Sequence, residues 1–92
     1  MIKSFRTRSL KKLYERGDGS KINPDHIERI RDILFSLDVS VKSSDMDIPG
    51  RGLHKMKGEF KGFWAVTVSG NYRVWFQFKD GNVIDVYYDD YH

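Results

Sequence analysis

The sequence predicts an α+β fold in which two N-terminal helices pack on one face of a single antiparallel β-sheet, all within one domain over residues 1–92. Three observations carry that expectation. Apolar residues recur at helical spacing as far as residue 38 and at strand spacing beyond residue 53. Asp80-Gly81-Asn82 stands between two runs of alternating β-formers, 71–78 and 83–88, and an Asp-Gly pair in that setting signals a hairpin. A chain of 92 residues can bury one sizeable core and not two.

Each element follows from its own residues. Positions 2–5 alternate apolar and polar, as a short terminal strand joining a later sheet would. Over 8–16, Leu10, Leu13 and Tyr14 form an i, i+3, i+4 stripe, with Lys11, Lys12 and Glu15 on the other side. Gly17-Asp18-Gly19-Ser20 ends that helix. The second begins at Asn23-Pro24, where Asn caps, Pro suits the first helical position and Asp25 suits the positive end of the dipole. Ile27, Ile30, Ile33, Leu34 and Leu37 then supply its core-facing stripe, to about Asp38. The two helices are expected as an antiparallel pair. Residues 43–49 are polar, with one helical turn before Pro49-Gly50; Asp45 and Asp47 read there as a surface turn rather than a cation site. Strands follow over 53–57, 63–69, 71–78 and 83–88, joined by a loop and tight turns.

Composition narrows the function. There is no cysteine, which removes disulfide scaffolds and thiolate zinc sites. No run of 18 apolar residues and no leader-like segment occurs, so a soluble cytoplasmic protein is expected. The formal charge of +3 is unevenly spread: residues 1–31 hold nine basic side chains against four acidic ones, and residues 51–79 hold six against Glu59 alone. A basic field around a sheet attracts polyanions.

The last third also gathers groups able to do chemistry. Arg73 is the odd member of a strand whose even positions Tyr72, Val74, Phe76 and Phe78 are apolar, so it projects from the opposite sheet face, where a guanidinium can grip a phosphate. His54 and His92 carry imidazoles that exchange protons near neutral pH, and Asp90 adds a carboxylate. Tyr91 and Trp64 offer rings for stacking on a base. A base, a cation and an acid are what cleavage of RNA by its own 2′-hydroxyl requires. Taken singly, each is more often an ordinary surface or packing residue. The period of two places Ile84, Val86 and Tyr88 on one face with Asp90 and His92, but Arg73 away from the apolar residues of its own strand. Either a bulge or twist near Asp89 or a tail curled round the sheet edge would bring them together. His26, His54 and His92 show no spaced ligand pair, so no metal or other cofactor is expected.

These residues carry a resemblance that spans the chain. Met1 to Phe5, Leu53-His54 with Lys57-Gly58, Gly62-Phe63-Trp64, Asn71-Tyr72-Arg73-Val74 with Phe76, and the terminal Asp89-Asp90-Tyr91-His92 resemble the HigB toxins of the RelE superfamily. The resemblance implies a microbial-ribonuclease fold and a toxin that cleaves mRNA in the A site of the 70S ribosome, leaving a cyclic phosphate. It implies catalytic roles for His54, Arg73, Asp90, Tyr91 and His92, electrostatic support from Lys57, and neutralisation by a HigA-like helix-turn-helix antitoxin, through which alone operator DNA would be contacted. Departures are few: Lys55-Met56 stands where many members have Pro and Leu, and Tyr72 where they have Trp. Two other classes compete, a non-catalytic inhibitor of a protein target on the same scaffold, as the ParE toxins are of DNA gyrase, and a plain RNA-binding module.

Overall fold

The structure is a computed structural model and describes residues 1–90. Helix α1 spans Arg8–Arg16 and α2 Ile27–Val39; strands β1 His54–Lys55, β2 Trp64–Ser69, β3 Tyr72–Lys79 and β4 Asn82–Asp90 follow, with 3₁₀ turns at Pro24–His26, Ser43–Met46 and Gly58–Phe60. The strands form one antiparallel sheet in the order β1-β2-β3-β4.

Local chemistry accounts for the helix ends. Gly17 takes φ 70° and donates its N–H to the Leu13 carbonyl at 3.0 Å, closing α1 with the backbone conformation glycine adopts most cheaply. The Asn23 side chain accepts the Asp25 N–H at 2.9 Å and opens the 3₁₀ turn that leads into α2. Leu10 and Leu13 of α1 and Ile30, Ile33, Leu34 and Leu37 of α2 are all buried, so both stripes meet one face of the sheet. The turn at Ser43–Met46 uses Asp45 for the backbone: its Oδ2 accepts the Val41 N–H at 3.0 Å and the Lys42 N–H at 3.2 Å, which also holds its carboxyl below the usual range.

At the hairpin, Asp80 and Gly81 both have positive φ, 53° and 79°, as a two-residue turn matching strand twist requires. From Lys79↔Asn82 the register runs regularly to Gln77↔Ile84, then resumes at Trp75↔Tyr87. Phe76 therefore faces both Asp85 and Val86, and Asp85, at φ 56°, is the inserted residue of a β-bulge. Its N–H is taken by Ser4 Oγ at 2.9 Å, and its carboxylate meets Arg6 at 3.7 Å. The expected terminal strand is thus reduced to two parallel bridges, Ile2↔Val83 and Phe5↔Val86, one on each side of the bulge. The bulge corrects one sequence assignment. Val83, not Ile84, shares the helix-side face with Val86, and both valines are fully buried, while Ile84 sits opposite Gln77 on the other face.

That other face buries a second cluster, Met56, Phe63, Ala65 and Trp75, with Phe60 and Tyr87 packed against it. The Phe60 and Trp75 rings stack at 5.9 Å and Trp75 meets Tyr87 at 5.1 Å. Two further expectations change. The first strand shortens from 53–57 to His54–Lys55: the Met56 N–H still donates to the Phe63 carbonyl at 2.9 Å, but the chain then turns at Gly58 with φ 69°. Trp64 faces the helices and packs against the main core, with the Lys55 ammonium 5.8 Å from its ring centroid, so it is no platform on the face of Arg73.

Candidate active site

Residues opposite one another in an antiparallel sheet share a face, which allows the site to be laid out row by row. One row on the face of the second cluster runs His54, Ala65, Trp75, Tyr87 from β1 to β4. The next runs Thr67, Arg73, Asp89. His54 and Arg73 therefore project to the same side, separated by two strand spacings and two residues, about 12 Å between backbones. Between them lie Ala65 and Trp75, both buried in the second cluster, so the two side chains flank that cluster.

His54 is exposed at the outer strand, and its Nδ1 lies 2.9 Å from the Gly52 carbonyl oxygen. A carbonyl only accepts, so Nδ1 carries the proton of this bond, and in the neutral ring Nε2 is left with a free lone pair. Lys57 is exposed nearby and lines with His54 and Phe60 a groove of about 580 Å³ along the β1 edge. Arg73 is half-buried and donates through Nη1 to the Gly70 carbonyl at 3.2 Å, which fixes one arm of its guanidinium at the β2–β3 turn.

Asp90 lies on the other parity. It pairs with Tyr72 and so belongs to the helix-side face at the very end of β4, while its neighbour Asp89 is the residue opposite Arg73. Of the two ways expected to unite Asp90 and Arg73, a bulge near Asp89 is not what β4 has: its register is regular from Tyr87 to Asp90, and its bulge, at Asp85, leaves Asp90 on the face away from Arg73. Within the described residues, His54 and Arg73 are brought to one face with Lys57 beside His54, and Asp90 reaches that end of the sheet from the other side. Tyr91 and His92, the remaining two candidates, lie outside the described residues.

Sequence reasoning overlooked two groups around these positions. On the face of Arg73, the Tyr87 hydroxyl donates to Asp89 Oδ2 at 2.9 Å and the Asp90 N–H donates to Asp89 Oδ1 at 2.7 Å. The hydrogen bond to the carboxylate is the main reason the Tyr87 phenol is pushed up. Under Asp90's face, His26 is buried, with Nδ1 2.7 Å from the Tyr88 hydroxyl and its ring 4.7 Å from that of Tyr72; Tyr72 and Tyr88 stack at 5.6 Å. Burial, with Tyr72 and the Asp89 charge adding to it, pushes the Tyr88 phenol up to about 12. This group props the strand end that carries Asp90. A bulge-corrected register would have revealed the first group. The second needed the helix-to-sheet packing that puts His26 over β3 and β4.

Among the described residues no cluster of three or more His, Cys, Asp or Glu is placed to hold a metal ion, and no helix is long and apolar enough to cross a membrane.

Comparison with known proteins finds relatives along the whole chain. A family model described as the RelE-like toxin of type II toxin-antitoxin system HigB matches residues 3–92. An endoribonuclease HigB from Proteus vulgaris is 37% identical over 92 residues, covering 100% of both chains. A toxin HigB-1 from Vibrio cholerae serotype O1 is 31% identical over 91 residues, covering 97% of this chain and 96% of its own. The solved YoeB-YefM complex from Staphylococcus aureus matches in fold, with a TM-score of 0.64 at 17% identity over 100% of this chain and 95% of that one. The order of two N-terminal helices and a four-stranded antiparallel sheet is therefore the RelE-like fold, and the chain belongs to the HigB-like family of RelE-like toxins from type II toxin–antitoxin systems.

Proposed function

We propose that residues 1–92 act as one toxin domain and cut mRNA on the ribosome, in the A site, by internal attack of the 2′-hydroxyl. The 2′-oxygen bonds to the adjacent phosphorus as the bond to the 5′-oxygen breaks, giving a 2′,3′-cyclic phosphate and a free 5′-hydroxyl. One group must take the 2′ proton and another must protonate the leaving oxygen; His54, Asp90 and His92 divide these transfers, typically worth about 10²- to 10⁴-fold in rate. Arg73 holds the phosphate and offsets the charge that builds on it, Lys57 adds to the local positive field, and Tyr91 stacks on a base.

The observation that carries this reading is the placement of His54 and Arg73 on one sheet face with Lys57 beside His54, in a chain of this family. A neutral His54 whose Nδ1 is engaged by Gly52 leaves Nε2 as an acceptor, which suits a group receiving a proton. The named endoribonuclease activity of the Proteus vulgaris relative supports the same reaction here. As a toxin of a type II system the protein is neutralised by its own antitoxin, a HigA-like helix-turn-helix protein, and meets operator DNA only through it. Its place of action is the cytoplasm.

The test is primer extension on one defined mRNA, presented free or on translating ribosomes, to purified protein. Cuts within codons that appear only on ribosomes support the reading. Cutting of free RNA overturns its ribosome dependence. Absence of cutting in both replaces it with a non-catalytic inhibitor.

A further inference from the structure

Asp89 is an anomaly on the face it occupies. It stands directly opposite Arg73, on the side of the sheet that also presents His54, and it is exposed. A carboxylate there repels the phosphates that the neighbouring cations attract. Yet it is held rather than left to swing away. Tyr87 fixes Oδ2 at 2.9 Å and the Asp90 N–H fixes Oδ1 at 2.7 Å, so each oxygen has one donor from the protein and retains capacity for another. Tyr87 is itself anchored by its ring against buried Trp75, at 5.1 Å between centroids. A rigid, exposed acceptor pair beside a phosphate-binding arginine is suited to reading hydrogen-bond donors.

We propose that Asp89, oriented by Tyr87, is a specificity-determining residue that accepts a hydrogen bond from the amino-bearing edge of one base next to the scissile phosphate. This deepens the ribonuclease reading above and rests on it. Adenine, cytosine and guanine each offer an exocyclic amino group to such an acceptor. Uracil offers only one N–H, set between two carbonyl oxygens that repel the carboxylate. The contact therefore excludes uracil at one position. Tyr87 is a positioning residue in this scheme: it touches no base and acts through Asp89.

The experiment presents ribosome-bound mRNA with one randomised codon in the A site to the full-length protein and sequences the cleaved ends. For wild type, cleavage should favour the three amino-bearing bases over uracil at one fixed position by roughly ten-fold, the scale of one good base contact. Asp89→Asn exchanges one acceptor for a donor and should collapse that ratio at that position alone. Tyr87→Phe frees the carboxylate to rotate and should reduce the ratio partway. A uniform loss of cutting across all four bases in Asp89→Asn would mean that Asp89 only orients Arg73 or meets the ribose, and would overturn the proposal. An unchanged ratio would overturn it equally. If wild type cuts nothing, the ribonuclease reading itself falls, an outcome distinct from either.

Discussion

Trp75 and Phe35 are both large aromatics, and the structure assigns them opposite fates on truncation. Trp75 is 2% exposed at the centre of the second cluster, whereas Phe35 is 72% exposed on α2. An indole of this size buries about 150–250 Å². At about 25 cal/mol per Å² that corresponds to roughly 4–6 kcal/mol as an upper bound, since the unfolded chain already shields part of it. Mutational experience with buried tryptophan places Trp75→Ala at about 3–5 kcal/mol, which is comparable with the ~5–15 kcal/mol total stability of an ordinary domain. The stacked contact with Phe60 and the tilted one with Tyr87 go with it. Phe35→Ala should instead stay within ~0.5 kcal/mol. Urea denaturation followed by far-ultraviolet circular dichroism measures both, and Trp75→Phe, which keeps a ring in place, should lose less than half as much as Trp75→Ala. A Trp75→Ala loss below ~1 kcal/mol at an unchanged denaturant slope would show that the face carrying His54 and Arg73 rests on no second core.

Three further outcomes follow from particular contacts. Asp38 Oδ1 accepts the Tyr14 hydroxyl at 2.6 Å and the Ile2 N–H at 3.1 Å, clamping the terminal segment to α2. These bonds lower the Asp38 carboxyl, and the bond to Asp38 pushes the Tyr14 phenol up to about 12. The contribution is thus fully present from about pH 4 to about pH 10; it fades as pH falls through the depressed Asp38 value and as pH rises through about 12. Tyr14→Phe should cost about 1 kcal/mol on that plateau, discounted because Tyr14 is 37% exposed, and the deficit should vanish at both extremes in pH-dependent thermal melts. Tyr88→Phe leaves the buried His26 Nδ1 without its 2.7 Å partner and should cost about 1–3 kcal/mol by chemical denaturation. Asn23→Ala removes the cap on the turn before α2 and should cost about 1 kcal/mol in the same assay.

The helices and the hairpin were legible because their signals are local. The stripe from Leu10 to Tyr14, the Asn23-Pro24 start and the Asp80-Gly81 turn each specify backbone geometry through neighbours in sequence. Asp85 was not legible. Its type is only a weak signal, since Asp is depleted in strands and tolerates positive φ, and what stabilises it, Ser4 and Arg6, comes from the far end of the chain. One inserted residue exchanges Ile84 for Val83 on the helix side and makes Asp89 rather than Tyr88 the neighbour of Arg73. The second core hid for a related reason. Counting alternate residues assigns one face to the core and the other to solvent, but Trp75 and Phe63 bury the second face too. For the site, the side of the sheet taken by Arg73 followed from alternation within β3, and the placement of His54 with it required the β1–β2 register. Asp90 kept the parity that alternation gave it, facing the helices with Tyr72.

The most direct measurement of the central claim is the single-turnover rate of cleavage on ribosome-bound mRNA for Arg73→Ala and His92→Ala beside wild type, with thermal unfolding recorded for each. If these side chains carry the reaction, both rates fall by about 10²-fold or more while the melting temperatures stay close to wild type. Rates within two- or three-fold of wild type in both folded variants, on the order of 0.5 kcal/mol of barrier, would contradict the account.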